Sequence, residues 1–318
     1  MREFRIGAND AGQRLDRFLA KAIPLLPAAL AQKYIRIKRI KVNGARAQRE
    51  QRLQEGDILQ CYINDEFFDE PDENNVYLSI AAPKLDVLYE DDNLLLLNKP
   101  AGQLCHRGSE PSGPTLADHL LAYLYQKRAW RPREENAFVP ALCNRIDRNT
   151  SGIVIAAKNA ASLRILNQKI KDREISKYYL CVCLGRPEPS SGRIECFLRK
   201  DERENLMRVY HHPVPEGRSA VTLYRTLETR GALSLLEAEL LTGRTHQIRA
   251  SFASLGCPLL GDGKYGNGTV NRRYGETSQL LCSYRLRFDF PGEAESLSYL
   301  RGREFKVDSV PFRTKYFP

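Results

Sequence analysis

Hydrophobic spacing separates a helix-led, basic beginning from a longer, strand-rich remainder. Over residues 14–23, Leu15, Phe18, Leu19 and Ala22 recur at helical intervals, with Arg14, Arg17 and Lys21 on the opposite side. Pro24 and Pro27 end that helix, and a second starts near Ala28, with Leu30 and Tyr34 on one face and Lys33 and Arg36 on another. The period then changes. Residues 38–44 read as a short alternating strand running into an Asn43-Gly44 turn, and Gln54-Glu55-Gly56-Asp57 is a turn ahead of a strand over 58–63.

Residues 64–75 have the composition of a linker, and from Asp86 onward apolar runs dominate. Two strands, 87–92 and 94–98, meet at an acidic turn and lead into the loop Lys99-Pro100-Ala101-Gly102. Ile153-Val154-Ile155-Ala156-Ala157 is a buried strand by its composition. Residues 177–185 read as a central strand apolar on both faces, which points Tyr179 into the packed face or a cleft beside it. The strand 235–241 passes through Thr242-Gly243-Arg244 into a helix expected to be capped by Thr245 and closed by Gly256, with Ile248, Phe252 and Leu255 as its buried stripe. His246 and Arg249 share another face near its start, where an anion is favoured. Segments 127–136 and 199–219 are charged with little period and are expected to be mobile surface loops. No internal repeat is evident. The pattern predicts an α+β chain divided into 1–63, a linker 64–85, and a domain over 86–318.

The chain has 318 residues, enough for a substantial core and two domains. Its 49 Lys and Arg against 39 Asp and Glu leave a net charge of +10, which suits a polyanionic partner. Placement says more than the total: residues 1–60 hold 13 Lys/Arg and 6 Asp/Glu, whereas 61–75 hold 6 acids and no base. The start, Met1-Arg2-Glu3-Phe4-Arg5, lacks the apolar core of a signal peptide, and no run approaches the roughly 18 apolar residues of a membrane span. A cytosolic protein without membrane partners is expected. The eight cysteines form no CxxC pair, so all are read as reduced and mostly buried, with no metal site; Cys181 and Cys183 share one strand face.

Candidate chemistry concentrates in Asn144-Arg145-Ile146-Asp147-Arg148-Asn149-Thr150-Ser151-Gly152, which sets a carboxylate between two arginines at the mouth of a buried strand. Flanking cations favour the charged form of a carboxylate, and Gly152 permits close backbone approach. Tyr179, His246 and Arg249 carry further candidate groups. The Gly/Pro-rich loops running from Leu97 through His106 and from Gly256 to Gly266 are of the sort that line sites.

Two resemblances organise these signals. The first 60 residues resemble the S4 RNA-binding module in Arg14-Leu15-Asp16, Lys41-Val42-Asn43-Gly44 and Glu55-Gly56-Asp57, although Leu26-Pro27-Ala28-Ala29 stands where polar capping residues are commoner and Lys38-Arg39 replaces a frequent glycine. Residues 86–290 resemble the RluA family of pseudouridine synthases in Lys99-Pro100-Ala101-Gly102, Arg145-Ile146-Asp147 with Thr150-Ser151-Gly152, Lys177-Tyr178-Tyr179, Gly243-Arg244-Thr245-His246-Gln247-Ile248-Arg249 and Gly256-Cys257-Pro258-Leu259-Leu260-Gly261-Asp262.

The resemblance implies a mixed, largely antiparallel sheet domain with the pseudouridine synthase fold behind a small α/β S4-like domain. It implies Asp147 as the catalytic aspartate, Tyr179 as the base-stacking tyrosine, Arg249 as partner of the carboxylate and Arg145 as the residue filling the gap left by a flipped nucleotide. Arg244, His246, Lys99 and His106 are candidate substrate contacts. Arg14, Arg17, Lys33, Arg36, Lys38, Arg39 and Lys41 are the candidate RNA contacts of the basic module. Asn144 and Ser251 stand where the family usually has histidines, which bears on RNA contacts.

Isomerising uridine breaks C1'–N1 and rejoins the base through C5, with no net redox change or hydrolysis, so neither cofactor nor metal is required. Positive charge developing on the sugar calls for a carboxylate, with Asp147 acting as nucleophile or base. Glycosidases use two carboxyl groups about 5–10 Å apart, and no second one stands out in these strings. The expected partner is structured RNA, ribosomal by preference, and the expected state a monomer. Two other readings stay open: a non-catalytic RNA-binding or ribosome-assembly protein, and a glycosylase that releases free uracil.

Overall fold

The computed structural model describes residues 1–68, 76–108, 113–132 and 135–318. Parts of the expected linker, 69–75, and of the expected 127–136 loop, 133–134, lie outside the described residues. Contacts group the chain into two compact units: residues 1–84 with 117–141 and 157–164, and residues 85–116, 142–156 and 165–318.

In the first unit, β1 (Arg2–Arg5), α1 (Leu15–Ala22), α2 (Ala28–Arg36), β2 (Ile40–Val42), β3 (Ala45–Arg46) and β4 (Ile58–Cys61) follow in order. The strands form an antiparallel sheet in the order β1-β4-β2-β3. Asn43 and Gly44 both adopt positive φ, 50° and 74°, which lets two residues close the β2–β3 hairpin. Leu15, Phe18 and Leu19 from α1 and Tyr34 and Ile35 from α2 bury against Ile40, Val42, Leu59 and Cys61 of the sheet. The apolar spacing therefore predicts this core, and the lysines and arginines between those positions stay outward. Farther along, Tyr77 stacks within 5.7 Å of Tyr125 on α3 (Leu116–Gln126) and 5.3 Å of Trp130. Gln126 donates to the Ile80 and Ala81 carbonyls, so residues 77–81 are packed chain.

The second unit is built on an 11-stranded sheet. Its elements are β5 (Val87–Glu90), β6 (Leu94–Lys99), β7 (Ala141–Leu142), β8 (Ser151–Ala157), α4 (Ala160–Lys171, shared with the first unit), β9 (Ile175–Leu184), β10 (Ser191–Asp201), β11 (Leu206–Tyr210), β12 (Arg218–Arg230), β13 (Leu233–Leu240), α5 (Gln247–Ser254), α6 (Gly268–Tyr274), β14 (Leu281–Phe288), β15 (Glu304–Lys306) and α7 (Pro311–Tyr316). The order is β11-β10-β12-β13-β9-β14-β8-β6-β5, with β7 beside β8 and β15 beside β14. The β8–β14 pair is parallel, and the ladders from β11 to β14 are antiparallel. The expected mixed, largely antiparallel sheet is present.

Three sequence expectations need correction here. Residues 199–219 are not one loop: the end of β10, all of β11 and the start of β12 fall in them, and β11 pairs with β10 at five positions. Cross-strand contacts such as Arg199 to Tyr210 and Arg208 to Asp201 explain their charge, and the apolar alternation of Ile194, Cys196 and Leu198 on β10 ends just before the segment begins. Thr245 is not the cap of α5. His246 holds that position in the left-handed region at φ 53°, and the buried Gln247 side chain folds back to accept from the Arg244 amide. Leu255 lies beyond the helix and is 40% exposed, leaving Ile248 and Phe252 as the buried pair.

Gly152 fixes the register that matters most. A Cβ there would collide with the Ser283 backbone, and φ is +106°. Only glycine lets β8 approach β14 this closely. Because Ser283 in turn pairs with Tyr179 of β9, the contact sets the loop ahead of β8 against the centre of the sheet. Gly152→Ala combines left-handed strain with overpacking, each costing about 1–3 kcal/mol. Urea unfolding of this variant is expected to show a lower midpoint and the combined loss; an unchanged midpoint refutes the close-approach account.

Candidate active site

Asp147 occupies the loop between β7 and β8, its backbone carbonyl accepting from the Thr150 amide at 3.0 Å. Its side chain is 27% exposed and opens onto a cavity of about 300 Å³, whose wall includes Arg145, Lys177, Tyr179, Arg244, His246 and Arg249. A second cavity of about 510 Å³ shares the wall of Arg145, Asp147, His246 and Arg249 and adds His106 to its lining.

Arg249 is the organising cation. Its Nε and Nη2 donate to the two carboxylate oxygens of Asp262 at 2.7 and 2.9 Å, and Nη1 donates to Asp147 Oδ2 at 3.1 Å. Asp262 is fully buried and also accepts from the amides of Lys264 and Tyr265 at 2.9 and 3.1 Å. Burial pushes the Asp262 pKa up, but the Arg249 guanidinium and these amides outweigh it and hold the carboxyl below its ordinary value. Burial likewise opposes the charge on Arg249, and Asp262 followed by Asp147 more than restores it. Asn271 of α6 braces the loop from behind, accepting from the Gly261 amide and donating to the Asp262 carbonyl. Gly261, at φ +81°, leaves no room for a Cβ against Ser278.

Tyr179 is buried in the cavity wall, and burial drives its hydroxyl pKa far above the ordinary range, so it stays protonated. His246 shares a 2.9 Å hydrogen bond through Nδ1 with the Tyr265 hydroxyl, and Nε2 lies 3.9 Å from Asp147 Oδ2. Burial lowers its pKa more than Asp147 raises it, which favours the neutral ring. Tyr265 also accepts from the Met207 amide and sits 5.2 Å from the Arg249 guanidinium. Arg244 lines the cavity while its Nε donates to the Ser219 carbonyl at 3.0 Å. Arg145 is exposed at the cavity edge.

Lys99 is not the substrate contact expected. Its ammonium is buried and donates to the carbonyls of Pro100, Gln103 and Arg148 at 2.8–2.9 Å, with burial pushing its pKa down to about 8. It ties its own loop to the residue after Asp147. The two family departures also act inside the scaffold: Asn144 Oδ1 accepts from the Ile155 amide at 2.8 Å, and Ser251 is fully buried with Oγ 3.9 Å from Cys196 Sγ. Ser251 therefore has no surface for RNA.

In the first unit, Lys33 and Arg36 line a groove of about 660 Å³ together with Arg46 and Arg49. Arg14 is held by Asp16 and Glu50 at 2.8 and 2.9 Å, and Arg49 also reaches Asp16. Arg39 and Lys41 lie over Tyr34 and Tyr62, and Arg17 and Lys38 are exposed outside that groove. The sequence reading missed Arg46 and Arg49 because they lie in β3 and just after it, beyond the run of charge on α2. Asp262 stands out in the sequence only as the end of a loop motif, because its partner Arg249 comes to face it only in the fold. All eight cysteines are free, and among the described residues no cluster suits a metal ion.

The family model described as RNA pseudouridylate synthase matches residues 93–254, and an S4 domain model matches residues 13–59. A ribosomal large subunit pseudouridine synthase C of Vibrio cholerae is 31% identical over 92% of this chain and 90% of that protein. One from Rickettsia prowazekii is 33% identical over 81% of this chain and 83% of its own length. The solved human RNA pseudouridylate synthase domain containing 4 superposes with a TM-score of 0.56 at 21% identity, covering 76% of this chain and 94% of that one, a likeness of fold.

Removing Asp262 leaves a buried guanidinium without its main counter-charge, a loss of about 3–5 kcal/mol. Asp262→Ala is expected to be destabilised by that amount at neutral pH in chemical denaturation. Because the folded pKa of Asp262 lies below its ordinary value of 3.8, its contribution is present above that value and fades only as pH falls through the lower folded pKa. A deficit that shrinks already between pH 7 and 5 contradicts this assignment.

Proposed function

The chain belongs to the RluA-type RNA pseudouridine synthases and carries an S4 domain, and on that premise we propose that it isomerises uridines of large-subunit ribosomal RNA through Asp147. The observation that carries this reading is the Asp147 carboxylate held by Arg249 at the mouth of a cavity of about 300 Å³, with Tyr179 in its wall. That volume is at the lower end for small-molecule sites and suits a single extruded nucleoside. The relatives' names supply the choice of RNA.

A uridine within a stem cannot reach Asp147, so the nucleotide is flipped out at a cost of a few kcal/mol. Arg145, exposed at the rim, fills the vacated place, while Arg244 and His246 meet the flipped nucleotide at the cavity wall. Tyr179 stacks on the base as a neutral phenol. Arg249 aims Asp147 at the sugar, where C1' becomes electron-poor. The Lys33, Arg36, Arg46 and Arg49 groove grips RNA phosphates. The enzyme works as a cytoplasmic monomer without cofactor; no helix among the described residues is long and apolar enough to cross a membrane.

Total RNA from cells lacking the gene, complemented with wild type or Asp147→Ala, tests this by carbodiimide-dependent reverse-transcription stops. A large-subunit site is expected to vanish in the knockout and return only with wild type. Full rescue by Asp147→Ala, or no dependent site in any RNA, overturns the proposal, and a dependent site in transfer RNA overturns the choice of substrate. Lys33→Ala and Arg36→Ala are each expected to reduce the slope of log affinity against log salt by about one. An unchanged slope removes the groove from the RNA path.

A further inference from the structure

Breaking the C1'–N1 bond sends the bonding pair to N1, so the detached base is a uracil anion with its charge shared among N1, O2 and O4. C5 of that anion then attacks C1', the C5 proton leaves to solvent and N1 takes one up, which balances the isomerisation. Asp147 and Arg249 serve the sugar. In a cavity shielded from water the departing base also needs a counter-charge.

Lys177 is placed to supply one. It lies two residues before Tyr179 on β9, hence on the same strand face, and both line the cavity that Asp147 opens onto. The other cations of that wall are placed differently: Arg249 serves Asp262 and Asp147, Arg244 spends its Nε on the Ser219 carbonyl, and Arg145 is exposed at the edge. Among the described residues the Lys177 ammonium has no hydrogen bond or ion pair, and burial alone acts on it, lowering its pKa. Glu239, in the groove that continues past Lys177, is engaged by the Tyr178 hydroxyl and exerts no pull on it. A desolvated cation without an anion is destabilised until one arrives.

Resting on the proposed reaction, we infer that Lys177 is a further catalytic residue, its ammonium pairing with the uracil anion while the base is detached from C1'. Single-turnover rates of the full-length protein on uridine RNA and on the same RNA with 5-fluorouridine at the target test this role. Lys177→Met is expected to slow the uridine reaction about 100-fold or more while RNA affinity stays within about twofold. Lys177→Arg restores much of the rate. Fluorine stabilises the departing anion itself, so the Lys177→Met deficit, read as loss of the C1'–N1 bond, narrows with 5-fluorouridine, whose C5 bonds C1' with no proton to lose and whose N1 and C6 take up the elements of water. Equal deficits on both substrates, or a loss confined to RNA affinity as a phosphate contact would give, overturn the role. A wild-type protein that forms no pseudouridine on an RNA it binds overturns the proposed function, and this role falls with it.

Discussion

The Arg249–Asp262 ion pair is the interaction on which the site depends. A guanidinium is a planar fork, and once Nε and Nη2 are fixed on a buried carboxylate, the direction of Nη1 is no longer free. That direction meets Asp147. Asp262 could not take this part alone in a buried setting; two backbone amides and the guanidinium together complete its acceptors. The loop geometry that presents those amides relies on Gly261, where any side chain would strike Ser278, and on Asn271 bridging the loop from α6. The orientation of one surface-accessible carboxylate thus rests on buried groups that themselves touch no substrate.

The sheet delivers the other half of the arrangement. Asp147 comes from the segment leading into β8, whereas Tyr179 stands mid-strand in β9, and β14 separates the two. They share a cavity because Gly152 lets β8 close on β14 at Ser283, whose other neighbour is Tyr179. Lys99 then pins the loop from the far side by taking the Arg148 carbonyl. The loop is consequently held at its end by sheet register, at Asp147 by Arg249 and just after it by Lys99. In the proposed reaction a carboxylate fixed this way needs little reorganisation as charge develops on the sugar.

Much of this was legible in the sequence. Helix spacing in residues 14–36 and the Asn43-Gly44 turn specify the small basic unit because each face has one solvent, core or water. The apolar runs at 153–157 and 177–185 are strands because both faces are buried. Legibility failed where one residue served two demands. Charges in 199–219 pair across strands where the apolar alternation of β10 has ended, and Gln247 replaces a conventional cap at α5 with a side chain reaching backwards. Lys99 was misread for a related reason: sequence shows a cation, but only three-dimensional structure shows that its protons end on three carbonyls.

That last distinction orders the charges around Asp147. Residue type alone makes Lys99, Lys177, Arg244 and Arg249 equivalent candidates for an anionic substrate. Their existing bonds separate them. Lys99 has no donor left to offer, so it shapes the loop. Arg249 is committed to two carboxylates and can act on substrate only by way of Asp147. Arg244 keeps part of its fork beside a carbonyl contact and can meet a nucleotide at the wall. Among the described residues Lys177 alone of the four has no hydrogen bond or ion pair, and a partly buried ammonium gains most from an anion that arrives with the substrate. The same inventory gives a reason for a single carboxylate in the proposed reaction. The sugar needs negative charge and the departing base needs positive charge, so a second acid inside the cavity would oppose the second requirement.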